Sequence, residues 1–168
     1  MFIFNRKKHF DKTYTLSFQA LKSYSLNMTK FFTEHSAQLY IAEDIGKFSL
    51  YTFLYGLYFT ECVLLKKYYP KYKSEVFAVI DSLIDLMSKR MNKDADYTFM
   101  LYGLTKRHLD NALKSAKISP GADPLLFAAN DYLTVILGKN KNDPNLYGVE
   151  QDIAIRFTAL MQTLTDAL

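Results

Sequence analysis

The chain has 168 residues, 49% hydrophobic and 23% charged, which is typical of one globular domain and excludes an intrinsically disordered or low-complexity chain. Six glycines and four prolines leave few tight turns, which disfavours a β-sandwich or barrel and favours helices. The net charge of +4 lies in residues 1–40, while the remaining residues carry fifteen side chains of each sign. A uniformly basic surface for binding nucleic acid is therefore not indicated.

The first ten residues differ in pattern from the rest of the chain, since apolar side chains come first and basic ones follow. The apolar members are Phe2, Ile3 and Phe4, and the basic members are Arg6, Lys7 and Lys8. This order is the reverse of a secretory signal, and together with the lone Cys62 it predicts a cytoplasmic protein. We expect Cys62 itself to act as a small buried hydrophobe.

Two interpretations of this N-terminal segment stay open. Phe2 and Phe4 could insert at a lipid interface or dock to a partner while Arg6, Lys7 and Lys8 meet anionic groups, which would make the protein peripheral to the inner membrane face. Alternatively, the segment packs onto the helical domain as an ordered arm. We accordingly divide the chain into an arm over 1–10 and an all-helical domain over 11–168.

Hydrophobic residues recur at intervals of three and four through most of the chain, which predicts amphipathic helices and no strand. The predicted helices lie near 12–34, 48–67, 74–91, 97–116, 124–137 and 149–166. Asp94 and Asp123 precede two of them, and Asp123 is followed by Pro124, as is typical of a helix start. The predicted fold is an all-α, single-domain bundle of about six helices.

The segment 48–65 is apolar for eighteen residues and is flanked by lysines, so a membrane span must be considered. Glu61 opposes that interpretation, because a carboxylate near the centre of a span costs about 3 kcal/mol. Tyrosines scattered along the segment also oppose it, since tyrosine favours the membrane interface. We therefore predict a buried central helix and no transmembrane span.

A short internal repeat is the alternative to a simple bundle. The sequence Leu-Tyr-Gly-Leu occurs at 54–57 and again at 101–104, and a looser copy occurs at 146–149. Such spacing is close to that of two-helix solenoid repeats, although chance resemblance within a compact bundle explains it equally well. Because glycine inside a helix costs about 1 kcal/mol relative to alanine, we predict that Gly56 and Gly103 both face a neighbouring helix at close range.

No sequence motif indicates catalysis or metal binding. The three histidines are too far apart for the common zinc spacings, and the motifs of nucleophilic serine enzymes and phosphate-binding loops are missing from the sequence. No catalytic residue, metal or cofactor is therefore predicted. His108 lies on an apolar stripe of its helix, where a hydrogen-bonded interfacial histidine is more common than a general base.

Thirteen tyrosines and thirteen phenylalanines exceed what one buried stripe requires, so some tyrosine hydroxyls should reach a surface, a pocket or a partner. Tyr55, Tyr58 and Tyr102, with His108, are the predicted binding residues. The surplus of tyrosines and the lack of catalytic motifs predict a non-enzymatic recognition protein. Such a protein, an adaptor or a cognate inhibitor of the immunity type, would bind a protein partner through an aromatic-rich face. The alternatives are a bundle with a Tyr/Met-lined pocket for a small apolar molecule, and an enzyme whose site is not visible in the sequence.

Overall fold

The computed structural model describes residues 2–34, 44–138 and 148–168, with the side chains of residues 2–5 outside the description. Of the described residues, 89% are helical and none lies in a strand, which confirms the predicted all-α fold. Six helices occur in these ranges: α1 (Phe2–Glu34), α2 (Ile45–Tyr68), α3 (Lys73–Arg90), α4 (Ala95–Ile118), α5 (Pro124–Leu137) and α6 (Val149–Ala167).

Three helices begin at an aspartate whose side chain accepts a backbone hydrogen bond from the first turn. Asp94 accepts from the Tyr97 N–H at 3.0 Å and Asp123 accepts from the Leu125 N–H at 2.9 Å, which confirms the predicted helix starts. Asp44 caps α2 in the same way, at 2.8 Å from the Lys47 nitrogen. Each cap satisfies an N–H group that the helix itself leaves unpaired.

The first helix is longer than predicted, since it begins at Phe2 instead of near residue 12. Contacts with the turn between α2 and α3 explain the extension. The His9 ring lies 4.8 Å from the Tyr68 ring and 5.2 Å from the Tyr72 ring, between centroids. Residues 2–10 are therefore helical in backbone and continuous with the rest of α1.

Helix α2 lies at the centre of the bundle and contacts each of the five other helices. Thirteen of its 24 residues are buried, and they are distributed around the whole helix. In the described part of the chain it is the one helix long and apolar enough to cross a membrane by length and composition. Its burial by five neighbours accounts for a helix that is apolar on all sides.

The two mid-helix glycines have different surroundings. A Cβ atom added at Gly56 would lie 2.6 Å from Cε1 of Tyr24 and 2.9 Å from Cδ2 of Leu21, so α1 and α2 approach closely there, as predicted. A Cβ atom at Gly103 would meet nothing within 4 Å, so the prediction for Gly103 is wrong. The two Leu-Tyr-Gly-Leu segments thus differ in their packing. Residues 146 and 147 of the third copy lie outside the described residues. The predicted repeat is therefore not confirmed.

Candidate functional site

The three tyrosines predicted to form a binding face lie in the core. Tyr55, Tyr58 and Tyr102 expose 1%, 5% and 6% of their surfaces. The Tyr55 hydroxyl donates to Asp131 at 2.5 Å, the Tyr58 hydroxyl donates to Asp110 at 2.7 Å, and the Tyr102 hydroxyl donates to Glu61. Their rings therefore build the bundle, and their hydroxyl groups are satisfied by carboxylates of the same chain.

Glu61 is the buried member of this group, with 3% of its surface exposed. Its carboxylate accepts hydrogen bonds from the Tyr102 hydroxyl and from the Lys106 ammonium, the latter at 2.6 Å. Burial, followed by the charge of Glu61, raises the pKa of Tyr102 well above its usual range, so this hydroxyl stays protonated. The buried Glu61 carboxylate is therefore satisfied by one neutral donor and one cation. The three side chains form a structural network that joins α2 to α4.

His108 of α4 lies at the surface, with 64% of its side chain exposed. Its Nδ1 atom is 4.0 Å from Oδ1 of Asp131, the residue that also accepts the Tyr55 hydrogen bond. The sequence predicted a hydrogen-bonded histidine at a helix interface, and the distance instead corresponds to a looser contact. His108 is thus near Tyr55 in space but separated from the core by Asp131.

Cys62 differs from its prediction, because it is exposed and not a buried hydrophobe. Desolvation by nearby protein raises the pKa of its thiol to about 11, against the opposing effect of the hydrogen bond with Tyr58. A thiol with that pKa is largely protonated at neutral pH and is a weak nucleophile. In the described residues no group of three or more His, Cys, Asp or Glu side chains is arranged to hold a metal ion.

The basic N-terminal residues project from the first turns of α1. Arg6 pairs with Glu75 of α3 at 3.6 Å, whereas Lys7 and Lys8 are exposed. The side chains of Phe2 and Phe4 lie outside the described residues. Membrane or partner docking by this segment stays a prediction.

A cleft that sequence reasoning missed opens between α1, α2 and α3, with a volume of about 220 Å³. Its apolar lining residues are Phe18, Leu21, Leu26, Phe53, Leu83, Leu86 and Met87. Leu21, Phe53 and Leu83 are buried, whereas Leu26 is 61% exposed. The lining residues of α1 extend from Phe18 to Thr29, about 16 Å along the helix axis.

Four polar side chains complete the lining of this cleft, namely Lys22, Ser25, Thr29 and Arg90. The Arg90 guanidinium lies over the Phe18 ring, 5.0 Å from its centroid. No described lining residue carries a carboxylate, so the formal charge of the lining is positive. Little in the sequence indicated this cleft, because Lys22 and Arg90 line the same cleft only when α1 and α3 pack side by side.

A second hollow, of about 330 Å³, lies between the start of α2 and the start of α4. It is lined by Asp44, Gly46, Lys47, Leu50, Tyr51, Lys93, Tyr97 and Leu101. Asp44 already caps α2, and the lining mixes charges of both signs with apolar groups. The cleft between α1, α2 and α3 is the better candidate for an apolar ligand, because its lining is predominantly hydrocarbon.

Helix α4 carries a separate apolar stripe on the surface. Tyr97, Met100 and Leu104 are exposed at successive turns, and Phe99 is exposed beside them. Gly103 lies within this stripe with open space in front of it. We call these five residues the α4 stripe.

Comparison of the chain with protein-family models, with curated proteins and with solved structures finds no match. The apolar cleft and the α4 stripe are apolar surfaces that a ligand or a partner could cover.

Proposed function

We propose that this protein binds a small apolar molecule in the cleft between α1, α2 and α3. The observation that carries the proposal is a concave, predominantly hydrocarbon lining that leaves Leu26 exposed at its edge. Ligand sites in proteins are typically concave and apolar with a few polar groups, which is the composition of this cleft. The proposal corresponds to the alternative of a Tyr/Met-lined pocket, with phenylalanine and leucine in place of the expected tyrosines and with Met87 as the methionine.

The size of the cleft limits the ligand. A volume of about 220 Å³ is below the roughly 300–1,000 Å³ of sites for drug-sized molecules. One hydrocarbon chain or two linked aromatic ring systems fit this volume, whereas a nucleotide cofactor does not. Among the described lining residues there is no carboxylate, histidine or cysteine that could act as a general base beside Ser25, Thr29 or Lys22, which supports binding over catalysis.

The test uses N-phenyl-naphthylamine, an uncharged dye whose fluorescence rises in apolar sites. We expect saturable binding of one dye per chain. Ser25→Phe places an aromatic ring in the cleft and should abolish this binding. Gln19→Phe is the matched control, because it adds the same ring to an exposed position of α1 outside the cleft.

Circular dichroism and melting temperature establish that both variants are folded. Loss of dye binding in Ser25→Phe with retention in Gln19→Phe supports the proposal. Equal binding by the parent and a folded Ser25→Phe, or no saturable binding by the parent, contradicts it.

The α4 stripe supports a second candidate function, recognition of a protein partner. Exposed Tyr97, Met100 and Leu104 lie on one side of α4, and aromatic and methionine side chains are enriched in protein interfaces. Gly103 adds a specific reason. Because a mid-helix glycine lowers helix stability by about 1 kcal/mol and makes no close internal contact here, close approach of a partner backbone would account for it.

Site-specific photo-crosslinking tests this second candidate. A benzoylphenylalanine at position 97, in place of the exposed Tyr97 ring, should give a discrete crosslinked product in the native host, and Met100→Glu should remove it. Position 115 on the same helix serves as the control, since Ser115 is exposed and outside the α4 stripe. The same product from positions 97 and 115, or none from position 97, contradicts recognition through the α4 stripe.

A further inference from the structure

Lys22 and Arg90 differ from Lys30 and Lys89 of the same helices, which pair with carboxylates. Lys30 of α1 lies 3.8 Å from Glu34, and Lys89 of α3 lies 2.6 Å from Asp85. In the described part of the chain, Lys22 and Arg90 pair with no carboxylate, although both line the cleft. Two unpaired cations thus border one apolar surface.

The end of α3 contributes little opposing negative charge to this region. A helix C-terminus normally presents unpaired carbonyl groups that attract cations and repel anions. Here three of these carbonyl groups accept backbone hydrogen bonds from the residues that follow the helix. The N–H of residue 91 donates to the carbonyl of residue 87 at 2.9 Å, that of residue 93 to residue 88 at 2.9 Å, and that of residue 92 to residue 89 at 3.3 Å. Asp85, the carboxylate of this turn, already pairs with Lys89.

The position of Arg90 suits it to bind an anion at the edge of an apolar site. Its guanidinium lies over the Phe18 ring, a contact that holds the side chain against the apolar lining. Five N–H donors remain on a planar group that pairs with a carboxylate through two parallel hydrogen bonds. In the described residues these donors make no hydrogen bond to another part of the chain. Lys22 provides a second positive charge on the α1 side.

We infer that the ligand of the cleft is a free single-chain amphiphile with a carboxylate head group, in other words a fatty acid. The inference rests on the proposed function and names its ligand class. The hydrocarbon chain occupies the apolar lining along α1 and covers Leu26, while the carboxylate meets Arg90 and Lys22. A phospholipid with two chains exceeds a volume of about 220 Å³, which is why we assign a single chain.

The experiment measures displacement of N-phenyl-naphthylamine by dodecanoate and by dodecanol, which share one chain and differ in charge. We expect dodecanoate to bind at least about tenfold more tightly than dodecanol, since one charge-assisted hydrogen bond is worth that factor. Added salt should weaken dodecanoate binding and leave dodecanol binding unchanged.

The variant Lys22→Met/Arg90→Met removes both charges and keeps apolar side chains of similar length. We expect it to lose about tenfold or more in dodecanoate affinity and to bind dodecanol as the parent does. The control Lys12→Met/Lys73→Met removes the same total charge from exposed positions of the same two helices outside the cleft, and should change either affinity by less than about threefold. If the double variant does not fold, Lys22→Met alone replaces it. We expect this single variant to lose dodecanoate affinity by an amount between that of the control and that expected for the double variant.

The outcomes separate this inference from the proposed function. If dodecanol and dodecanoate bind the parent equally and the cleft variant changes neither, the fatty-acid inference is overturned while the proposed function stands. If neither compound nor the dye binds, both are overturned. Retention on phosphatidylglycerol vesicles without binding of free dodecanoate also overturns the inference, because the ligand would then be a membrane lipid.

Discussion

Tyr102 of α4 donates a hydrogen bond to the carboxylate of Glu61 on α2, 41 residues earlier in the chain. Tyr55 and Tyr58 make equivalent bonds to Asp131 and Asp110. The three acceptors differ in exposure, since the side chain of Glu61 is 4% exposed, that of Asp131 is 22% exposed, and Asp110 is an exposed residue. Removing the three hydroxyl groups should therefore cost different amounts of stability.

We predict that Tyr102→Phe lowers the free energy of unfolding by about 1.5–3 kcal/mol, because it leaves a buried carboxylate with Lys106 as its remaining partner. Tyr55→Phe should cost about 1 kcal/mol and Tyr58→Phe less, since water can replace the lost donor at Asp131 and Asp110. Urea unfolding of the three variants measures the order. Equal losses in all three, or the largest loss in Tyr58→Phe, would contradict the assignment.

Gly56 of α2 and Gly103 of α4 allow the same substitution to be compared at a crowded and at an open position. Gly56→Ala should destabilise by about 1–3 kcal/mol, because the new methyl group overlaps Tyr24 and Leu21, which are both buried. Gly103→Ala should stabilise by up to about 1 kcal/mol, because only helix propensity changes there. Thermal unfolding of the two variants beside the parent decides the matter. A stabilising Gly56→Ala would mean that α1 and α2 are farther apart than described.

Two buried tyrosines differ in the state of their hydroxyl groups. Among the described residues the Tyr24 hydroxyl has no hydrogen-bond partner, whereas the Tyr132 hydroxyl lies 2.7 Å from Oγ1 of buried Thr52. Tyr24→Phe should therefore leave stability unchanged or raise it by up to about 1 kcal/mol, and Tyr132→Phe should lower it by about 1–3 kcal/mol. Urea midpoints give both values. A loss above about 1 kcal/mol for Tyr24→Phe would reveal a partner, such as an internal water.

Stability should fall steeply at alkaline pH. Burial raises the pKa of Tyr55, Tyr102 and Tyr132 well above the value of about 10 that these groups have when unfolded. Above that pH the unfolded chain releases protons that the folded chain keeps, so the free energy of unfolding decreases by about 1.4 kcal/mol per pH unit for each such tyrosine. Below about pH 9 the contribution is fully present and constant.

Urea unfolding at constant ionic strength, from about pH 8 to about pH 11, measures this slope. Tyr55→Phe should reduce the slope by about half a proton at pH 10 and by nearly one proton at pH 11. A slope that is independent of Tyr55 would mean that this hydroxyl ionises in the folded protein as easily as in the unfolded chain.

Local features of the structure were predictable from the sequence. The caps at Asp94 and Asp123 involve residues within one turn of each other, so their pattern is visible in a short stretch of chain. Helix α2 is also locally encoded, because an apolar helix interrupted by Glu61 must be covered by the rest of the domain. The start of α1 was missed because its N-terminal turns are held by Tyr68 and Tyr72, which are distant in sequence.

The partners of the polar and small residues were decided only by the tertiary structure. Gly56 and Gly103 occur in the same four-residue motif, and one contacts α1 while the other faces open space. Tyr55 and Tyr102 were expected at a surface, and carboxylates from α5 and α2 satisfy them inside the bundle.

By itself, the sequence determined that this protein is all-helical, where most helices start, and that α2 is central, because periodicity, capping and overall apolarity act over one or two turns. Which helices are neighbours depends on the summed packing of whole faces, and no short segment encodes it. The cleft follows from that arrangement, since Lys22 and Arg90 border one apolar surface only once α1 and α3 pack side by side. Tertiary packing therefore decided both the core role of the tyrosines and the location of the proposed binding site.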